Sequence, residues 1–163
     1  MPLTLNEIRS RAISFSKEWR GETSEIAEKQ SFWNEFLNAF GIHRRRVATF
    51  EVPVELRDGR HGRIDLFWRG VLLVEHKSRG EDLTAAFTQA ANYFEGIADE
   101  DLPRFVIVSD FATLRLYDLE GEQPIEFPVE SLHAHVNDFG FLTGHTARPF
   151  QEAPQVNVKA AEL

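Results

Sequence analysis

Residues 63–77 read RIDLFWRGVLLVEHK, and this stretch decides the fold. Two apolar runs flank Trp68-Arg69-Gly70, which is typical of a hairpin with a three-residue loop whose glycine takes the left-handed conformation. An odd-numbered loop places Asp65 opposite or diagonal to Glu75 on one face of the hairpin, whereas a two-residue turn would place them on opposite faces. We predict the odd-numbered loop and therefore a shared face for the two carboxylates.

The charged residues of this hairpin predict a metal site. Two ionised carboxylates about 5 Å apart repel by roughly 3 kcal/mol at an effective dielectric constant near 20, so the pair has to be neutralised. A divalent cation does this, and oxygen ligands suit Mg²⁺ or Mn²⁺. Lys77 follows Glu75 by two residues and shares its face about 6 to 7 Å further along, where its ammonium could orient an attacking water or stabilise charge on a phosphate. By the same alternation the ring of His76 should face away, which leaves its backbone carbonyl as the metal contact.

An ion-pair network is the alternative explanation of the same charges. Asp65 and Glu75 could pair with Arg63 and Lys77 without binding a metal, because perturbed carboxylates are often merely structural. Charges within such apolar strands are almost always paired or coordinated, so one of the two explanations is expected to hold. We favour the metal site.

The composition indicates one globular domain. The chain has 163 residues, 42% of them hydrophobic and 12% aromatic, which is enough for one hydrophobic core. No apolar run approaches the length of about 18 residues that a membrane span needs, the N-terminus lacks a signal-peptide pattern, and there is no cysteine. We therefore expect a cytoplasmic protein without disulfides or thiolate metal sites.

The charge of the chain limits its role in binding nucleic acid. A net charge of -8 argues against a self-sufficient nucleic-acid binder, because phosphate neutralisation supplies most non-specific affinity for DNA. The basic residues are unevenly placed, however, with a run at 44–46 and others around the hairpin: Arg57, Arg60, Arg63, Lys77 and Arg79. The run Arg44, Arg45 and Arg46 is either a solvated surface or a phosphate contact, and the sequence favours neither.

Hydrophobic periodicity predicts the other elements. Helices are expected over about 22–40, ended by Gly41, and from Glu81 or Asp82 to about Ile97. Strands are expected over 47–55, 62–68, 71–78, 104–109 and 113–118. A strand-helix-strand connection normally makes a parallel crossover and the hairpin is antiparallel, so the expected architecture is α/β with a mixed sheet flanked by helices.

Three further sets of polar residues are candidates for a site. Glu28 lies on the apolar stripe of the first predicted helix, so it is either a favourable charge near a helix N-terminus or a group near the metal. Gln89 and Tyr93 are one turn apart on the second predicted helix, as a polar helix edge or as neighbours of the metal site. His133 and His135 have the spacing of strand residues on one face, but without a third ligand a solvated pair is the favoured explanation.

The hairpin resembles the active-site motif of the PD-(D/E)xK nucleases, as Ile64-Asp65, nine residues, then Glu75-His76-Lys77. The proline of that motif is Ile64 here, at a position that varies within the superfamily. Longer phrases resemble the N-terminal region of bacterial single-chain restriction-modification enzymes of the MmeI type (type IIL) and related fused adenine DNA methyltransferases: residues 62–66, 71–78, Gln89-Ala90 with Tyr93, 103–109 and 114–118. The likeness runs from about Glu22 onward.

The resemblance implies a restriction-endonuclease-like core that hydrolyses phosphodiester bonds of double-stranded DNA with Mg²⁺ or Mn²⁺. It implies a role for each candidate residue: Asp65, Glu75 and the backbone carbonyl of His76 would bind the metal, Lys77 would serve the attacking water, and Gln89 and Glu28 would support the site.

The resemblance also implies a larger protein. A helical lead-in over 1–21 would precede the nuclease-like domain at 22–145, and 146–163 would form a linker and the start of a truncated connector helix. In the family, a methyltransferase domain that uses S-adenosylmethionine and a target-recognition domain follow, and specificity and most DNA affinity would reside there. The oligomeric state is left open.

Two other functions remain open. A degenerate nuclease could only position DNA or protein partners for an attached methyltransferase, although the presence of all three charged residues argues against this. A protein-protein adaptor on the same fold would require an exposed apolar patch.

Overall fold

Six strands form a single sheet in the computed structural model, which describes residues 2–121 and 123–144. The strands are β1 (Thr49–Glu55), β2 (His61–Trp68), β3 (Leu72–His76), β4 (Phe105–Ser109), β5 (Thr113–Asp118) and β6 (Ile125–Pro128). They lie in chain order, with β3 and β4 parallel and every other neighbouring pair antiparallel. The predicted mixed sheet is confirmed. The strand β6 was missed, because its four residues are too few to show a period.

Helices cover both faces of the sheet. On one face lie α1 (Leu5–Glu18) and α2 (Glu25–Ala39), and on the other lies α3 (Leu83–Asn92), which makes the crossover from β3 to β4. Short 3-10 turns and α4 (Phe141–Gly144) complete the described chain: Arg44–Arg46, Tyr93–Gly96, Asp99–Asp101, Val129–Ala134 and Val136–Phe139. Within the described ranges, no helix combines the length and the apolar composition that crossing a bilayer requires.

Capping residues explain where the two predicted helices begin and end. The side chain of Ser24 accepts a hydrogen bond from the backbone N–H of Ala27, so α2 begins after Ser24 rather than at residue 22. Gly41 has a φ of 82° just beyond α2, in agreement with the predicted stop. The carboxylate of Asp82 caps α3, which ends earlier than predicted because a 3-10 turn continues from Tyr93.

The β2–β3 hairpin has the predicted odd-numbered loop. Trp68 pairs with Leu72, which leaves three loop residues, displaced by one position from the predicted loop. Gly70 has a φ of 75°, the left-handed conformation predicted for it. Leu66 pairs with Val74 at the far end of the hairpin, so the next two residues, Asp65 and Glu75, lie opposite each other. The loop therefore decides that the two acids meet.

Two hydrophobic cores lie on the two faces of the sheet. The larger one lies under α1, α2 and the C-terminal turns, and the smaller one lies under α3. The predicted lead-in over 1–21 belongs to the larger core through four side chains of the first helix and its end: Ile8, Ala12, Phe15 and Trp19. Ile26 is apolar but 97% exposed, because it lies in the first turn of α2, ahead of the residues that pack.

The two ends of the paired strands β1 and β2 pack against different hydrophobic cores. The side chains of Phe50 and Leu66 pack in the larger core, but those of Val52 and Ile64, two residues away in each strand, pack in the smaller one. The register is the same on both sides of this point, so no residue is inserted. Glu51 lies at the switch with a φ of 56°, a left-handed conformation that is uncommon outside glycine. The change of face thus coincides with one unusual backbone conformation.

The chain after β6 differs from the prediction. His133 and His135 lie in and just after a 3-10 turn, so the predicted strand spacing is wrong. The ring of His135 stacks on Phe127 with centroids 4.0 Å apart, and its Nδ1 lies 3.2 Å from a carboxylate oxygen of Asp138. These are structural contacts. The linker and connector helix predicted over 146–163 lie outside the described residues.

Candidate active site

The two hairpin carboxylates lie where the β2–β3 ladder ends. Asp65 Oδ2 accepts a hydrogen bond of 2.7 Å from the backbone N–H of His76, so this side chain takes the place of a strand partner. The next backbone N–H, that of Lys77, donates to the carbonyl of Ser109 at 2.8 Å, which holds the end of β3 against β4. Asp65 and Glu75 are both buried. The fold therefore holds two acids at one end of a central strand.

Glu75 is strongly perturbed by its surroundings. Its side chain is 4% exposed, its Oε2 lies 3.4 Å from Lys77 Nζ, and its Oε1 is buried with no hydrogen-bond partner in the described part of the chain. Burial, and then the charge of Asp65, raise the pKa of Glu75 to about 8, and the nearby ammonium groups offset this only in part. At neutral pH the group therefore holds a proton unless a further cation balances its charge.

Lys77, Gln89 and Tyr93 form a hydrogen-bonded chain beside Glu75. Lys77 Nζ donates to Gln89 Oε1 at 2.6 Å, and Gln89 Nε2 donates to the hydroxyl of Tyr93 at 2.7 Å. The ring of Tyr93 packs on Gly62, where any β carbon would lie only 2.5 Å from the ring. The predicted neighbours of the metal site are thus brought together, and the glycine of β2 provides the space.

Lys29 was not predicted, yet it lies among three carboxylates. Its Nζ is 2.7 Å from Asp65 Oδ1, 3.5 Å from Glu25 Oε2 and 3.6 Å from Glu51 Oε2. Burial lowers the pKa of Lys29, but the hydrogen bond and ion pairs with these acids outweigh it, so the pKa is raised. Glu25 also accepts a hydrogen bond of 3.0 Å from the hydroxyl of Ser78. The spacing of Glu25 and Lys29, one turn apart on α2, was the only sequence signal for this pair.

Glu51 was also missed by the sequence analysis. Its strand position faces that of Asp65, between the pairs that Phe50 and Val52 make with β2. Its Oε2 is buried and has no hydrogen-bond partner in the described ranges, although it lies close to Lys29. Left-handed backbone in a residue with a long side chain costs about 1–3 kcal/mol and is found mainly at functional sites. Sequence carries no signal for such a conformation.

Glu28 does not join the other candidates. It lies about 100° around α2 from Lys29, because consecutive residues of a helix are separated by that angle. Its carboxylate is instead close to Glu35, whose pKa is raised by burial and, to a smaller extent, by the charges of Glu18 and Glu28. Support from Glu28 stays a prediction, and the α2 residues with ion pairs to the hairpin or to each other are Glu25 and Lys29.

The ring of His76 points away from the carboxylates, as predicted. It is fully buried among aromatic rings, and its Nδ1 accepts a hydrogen bond of 2.9 Å from Trp33 Nε1. Phe32 and Phe111 contact its faces and edges, with ring centroids 5.4 Å and 4.2 Å away. Burial lowers the pKa of His76 to about 3, so the ring is neutral. Its side chain therefore belongs to the larger core, and only its backbone borders the site.

The arginines divide into structural and free groups. Arg63 has no carboxylate within ion-pair distance among the described residues and its side chain donates to the carbonyl of Glu51, so Arg63 is not part of the ion-pair network that was the alternative explanation. Arg44 donates to Asn34 and to the carbonyl of Ala48, and it lies over the ring of Phe50. Arg45 and Arg46 are exposed.

The oxygen ligands and the net charge of the carboxylates and lysines around Asp65 suit a hard dication such as Mg²⁺. Four carboxylates, those of Asp65, Glu75, Glu51 and Glu25, face the two ammonium groups of Lys29 and Lys77, so the fully ionised cluster has a net charge of -2. In the described part of the chain, however, no three His, Cys, Asp or Glu side chains converge as metal ligands. A Mg²⁺ site formed by two carboxylates, a backbone carbonyl and waters remains within the usual range for this ion.

Comparisons with known proteins place the chain at the level of family and fold. The family model described as MmeI, N-terminal domain matches residues 10–163. The cryo-EM structure of a DrdV–DNA complex shares the fold with a TM-score of 0.53 at 14% sequence identity, and the match covers 84% of this chain but only 14% of that one. No curated protein matches the chain. The mixed sheet between two helical layers is restriction-endonuclease-like, as predicted, and the chain belongs to the family of MmeI N-terminal domains.

Proposed function

We propose that the chain is the nuclease domain of a larger restriction-modification protein and that it hydrolyses DNA phosphodiester bonds with Mg²⁺, or with Mn²⁺ in its place. The observation that most directly supports this is Glu75. Glu75 is buried against a second acid and one of its oxygens has no partner in the described part of the chain, so its ionised form is disfavoured until a cation binds it. Membership of the MmeI N-terminal domain family supports the larger protein, and the fold shared with a chain bound to DNA supports DNA as the substrate.

Oxygen atoms of three residues would hold the dication: Asp65 Oδ1, Glu75 Oε1 and the backbone carbonyl of His76. A bound dication neutralises charge on the attacked phosphate and acidifies water. Asp65 is suited to its role because its second oxygen is fixed by the N–H of His76, so the carboxylate cannot rotate freely.

Lys77 is the group that would act on the water or on the phosphate. An ammonium has three N–H donors. One is directed to Gln89 Oε1 at 2.6 Å, and a second faces Glu75 Oε2 at 3.4 Å, which leaves the third for the substrate. Gln89 is a positioning residue in this arrangement, and Tyr93 fixes which end of the Gln89 amide faces the lysine.

Exposed arginines near the site are available for the DNA backbone. Arg46 and Arg69 line a cleft of about 520 Å³ along the edge strand β1, and Glu51 lies in the lining of the same cleft. Neither arginine has an ion-pair partner among the described residues. We expect a DNA strand to cross this cleft toward Asp65, while the net charge of -8 leaves most of the affinity to the downstream domains.

Metal binding is tested with this chain alone. Thermal unfolding is recorded at increasing Mn²⁺ for the wild type, for Glu75→Gln and for the control Glu126→Gln, whose side chain pairs with Arg115 on β5. A ligand that binds only the folded state raises the Tm by mass action. We expect the Tm of the wild type and of Glu126→Gln to rise and that of Glu75→Gln to stay constant. A wild-type Tm that does not respond to Mn²⁺ contradicts the metal site.

Cleavage is tested with the full-length protein. Plasmid DNA is incubated with and without Mg²⁺ and with and without S-adenosylmethionine, and nicked and linear products are measured. We expect cutting that requires Mg²⁺. Intact plasmid under all four conditions, in a preparation that still methylates DNA, contradicts the proposal.

A degenerate module that only positions DNA or protein partners is the second candidate, and one observation favours it: no three ligands converge in the described part of the chain. Such a module would show neither a Tm response to Mn²⁺ nor nicking, so the same two experiments separate the candidates. No observation favours an adaptor, because the large exposed apolar side chains of the described residues lie on four separate segments: Ile13, Ile26, Leu102 and Leu119.

A further inference from the structure

We propose that Lys29 is the counter-ion of the acid cluster, formed by Asp65, Glu75, Glu51 and Glu25, in the metal-free protein. In that state Lys29 is paired with Asp65. The ammonium has to move onto Glu51 and Glu25 before a dication can bind. Lys29 would therefore set the affinity of the site for the metal. This inference rests on the proposed function and concerns a residue outside the hairpin motif.

The first step is that both oxygens of Asp65 are already engaged. Oδ2 accepts a hydrogen bond of 2.7 Å from the backbone N–H of His76, and Oδ1 accepts one of the same length from the ammonium of Lys29. The backbone contact is part of the end of the hairpin and stays in place. A dication that binds Asp65 has to use the oxygen that Lys29 occupies, and two cations on one carboxylate oxygen repel each other.

The second step is that Lys29 has somewhere to go. Glu25 Oε2 and Glu51 Oε2 lie 3.5 Å and 3.6 Å from its Nζ, both longer than a charged hydrogen bond of about 2.8 Å. Glu51 Oε2 is buried and has no hydrogen-bond partner in the described part of the chain, so it gains one when the ammonium approaches. A displacement of roughly 1 Å is within the reach of the flexible lysine stem.

The third step concerns the backbone of Glu51. If Glu51 had an extended backbone, its side chain would point to the face of the sheet that the regular alternation of β1 assigns to this position. The φ of 56° at Glu51 breaks that alternation and coincides with the side chain reaching Lys29. The strand thus keeps an uncommon backbone conformation at Glu51, and this conformation places a carboxylate beside Lys29. A role of Glu51 in accepting the ammonium explains why the conformation is kept.

Binding of Mn²⁺ to this chain, measured by isothermal titration calorimetry, tests the inference. We expect Lys29→Met to bind Mn²⁺ more tightly than the wild type by about 5- to 150-fold, the usual range of coupling between two binding events. The same variant should have a lower metal-free Tm, because three carboxylates lose their counter-ion. The matched control is Lys17→Met, an exposed lysine in the last turn of α1, which should change neither value.

Glu51→Gln provides a second and independent variant. It removes the negative charge of one of the two acceptors of Lys29, so the ammonium is held more firmly on Asp65 and Mn²⁺ should bind several-fold more weakly than in the wild type. In the Lys29→Met background the same substitution should have no effect. If Glu51 were itself a metal ligand, it would weaken binding in both backgrounds, which would overturn the assignment of Glu51 as the acceptor.

The outcomes separate this inference from the proposed function. Wild-type binding of Mn²⁺ combined with unchanged or weaker binding in Lys29→Met overturns the role of Lys29 and leaves the nuclease proposal standing. Binding in both proteins, with the tighter binding in Lys29→Met, supports the inference. Absence of binding in both proteins overturns the metal site and the inference with it. If Lys29→Met does not fold, as judged by near-ultraviolet circular dichroism, an unchanged affinity in Glu51→Gln is sufficient to overturn the inference.

Discussion

Glu75 and His76 are neighbours in the chain, but they lie on opposite faces of the sheet and respond to burial in opposite ways. Glu75 faces a cluster of acids and ammonium groups near α2 and α3, and its pKa is raised to about 8. His76 lies among the rings of Phe32, Trp33 and Phe111, and its pKa is lowered to about 3. Both shifts arise first from burial, which disfavours the charged form of either group.

The difference lies in the charged groups that surround each residue. On the His76 face, one hydrogen bond from Trp33 to Nδ1 and close aromatic packing hold a neutral ring in a single orientation, although its Nε2 is buried with no hydrogen-bond partner in the described part of the chain. On the Glu75 face, two acids are held near each other with one oxygen unpaired and with lysines as the only counter-ions in the described part of the chain. The first arrangement keeps a neutral ring in place, and the second keeps Glu75 protonated at neutral pH unless a bound cation balances its charge. The comparison therefore separates a structural face from the face that carries the candidate active site.

The largest expected effect is on cleavage. In the full-length protein, Lys77→Ala or Glu75→Gln should lower the rate of DNA cutting by roughly 10²- to 10³-fold or more, because each removes charge stabilisation at the reacting phosphate or its metal. Methylation should be unchanged, because in the proposal it belongs to a separate downstream domain. The rate is measured as plasmid linearised per minute, with Lys17→Ala as control. Wild-type cutting by either site variant would remove the functional role from this face.

The next effect is on the stability of the His76 face. Trp33→Phe leaves a buried ring nitrogen of His76 without its donor, and His76→Leu leaves the indole N–H of Trp33 without its acceptor, so each should cost about 1–3 kcal/mol of unfolding free energy. The double variant leaves neither group unpaired and should cost less than the sum of the two. Urea unfolding measures all three. Strictly additive costs would mean that the hydrogen bond contributes nothing.

A smaller effect is expected in the pH dependence of the metal-free protein, and the two faces predict opposite signs. The raised pKa of Glu75 means that the unfolded chain gives up this proton near pH 4.5, so stability falls as the pH rises from about 4.5 toward 8. The lowered pKa of His76 means that the unfolded chain takes up a proton near pH 6.5, so stability falls as the pH drops from about 6.5 toward 3.

A substitution on each face should remove one part of the pH dependence of stability: the loss at high pH for Glu75 and the loss at low pH for His76. With a chelator present, the Tm of Glu75→Gln should fall by a few degrees less than that of the wild type between pH 6.5 and 8, and that of His76→Leu should fall less between pH 6.5 and 4. Differential scanning calorimetry measures both. Parallel wild-type and Glu75→Gln profiles above pH 6.5 would show that Glu75 is not perturbed.

The smallest effect is expected at Gly62, below the ring of Tyr93. In Gly62→Ala the new β carbon would lie 2.5 Å from Tyr93 Cε1, so the ring has to shift and take Gln89 with it. We expect a loss of about 1 kcal/mol in stability and a slower cleavage rate with unchanged metal affinity. Gly121→Ala is the matched control, because it lies in the turn after β5 and the nearest side-chain atom to its β carbon is at 3.2 Å. Equal effects of the two substitutions would exclude a specific role for the Tyr93 contact.

Much of the site was predictable because it depends on strand alternation and on loop length. The odd-numbered loop with Gly70 in the left-handed conformation sets Asp65 against Glu75, and a two-residue step sets Lys77 beside Glu75. The one-turn spacing of Gln89 and Tyr93 predicted that both would lie at the same edge of α3, and their hydrogen bond confirms it. These relations are local, so short stretches of sequence are sufficient to specify them.

The remaining parts of the site depend on contacts between segments that are distant in sequence. Lys29 reaches Asp65 from 36 residues away, and the choice of Glu25 and Lys29 over Glu28 depends on how α2 is rotated against the sheet. The rings around His76 come from α2 and from Phe111 after β4. Periodicity locates an apolar face of a helix, but it does not give the rotation of that helix to within one residue.

The sequence by itself determined an α/β chain with one hairpin that brings two acids and a lysine together, because side-chain alternation and turn chemistry act over a few residues. Only the tertiary structure decided that a second lysine enters from α2, that Glu51 adopts a left-handed backbone to meet it, and that the ring of His76 is enclosed by aromatic side chains. Those features follow from packing two helical layers onto one twisted sheet, and packing is a property of the whole chain.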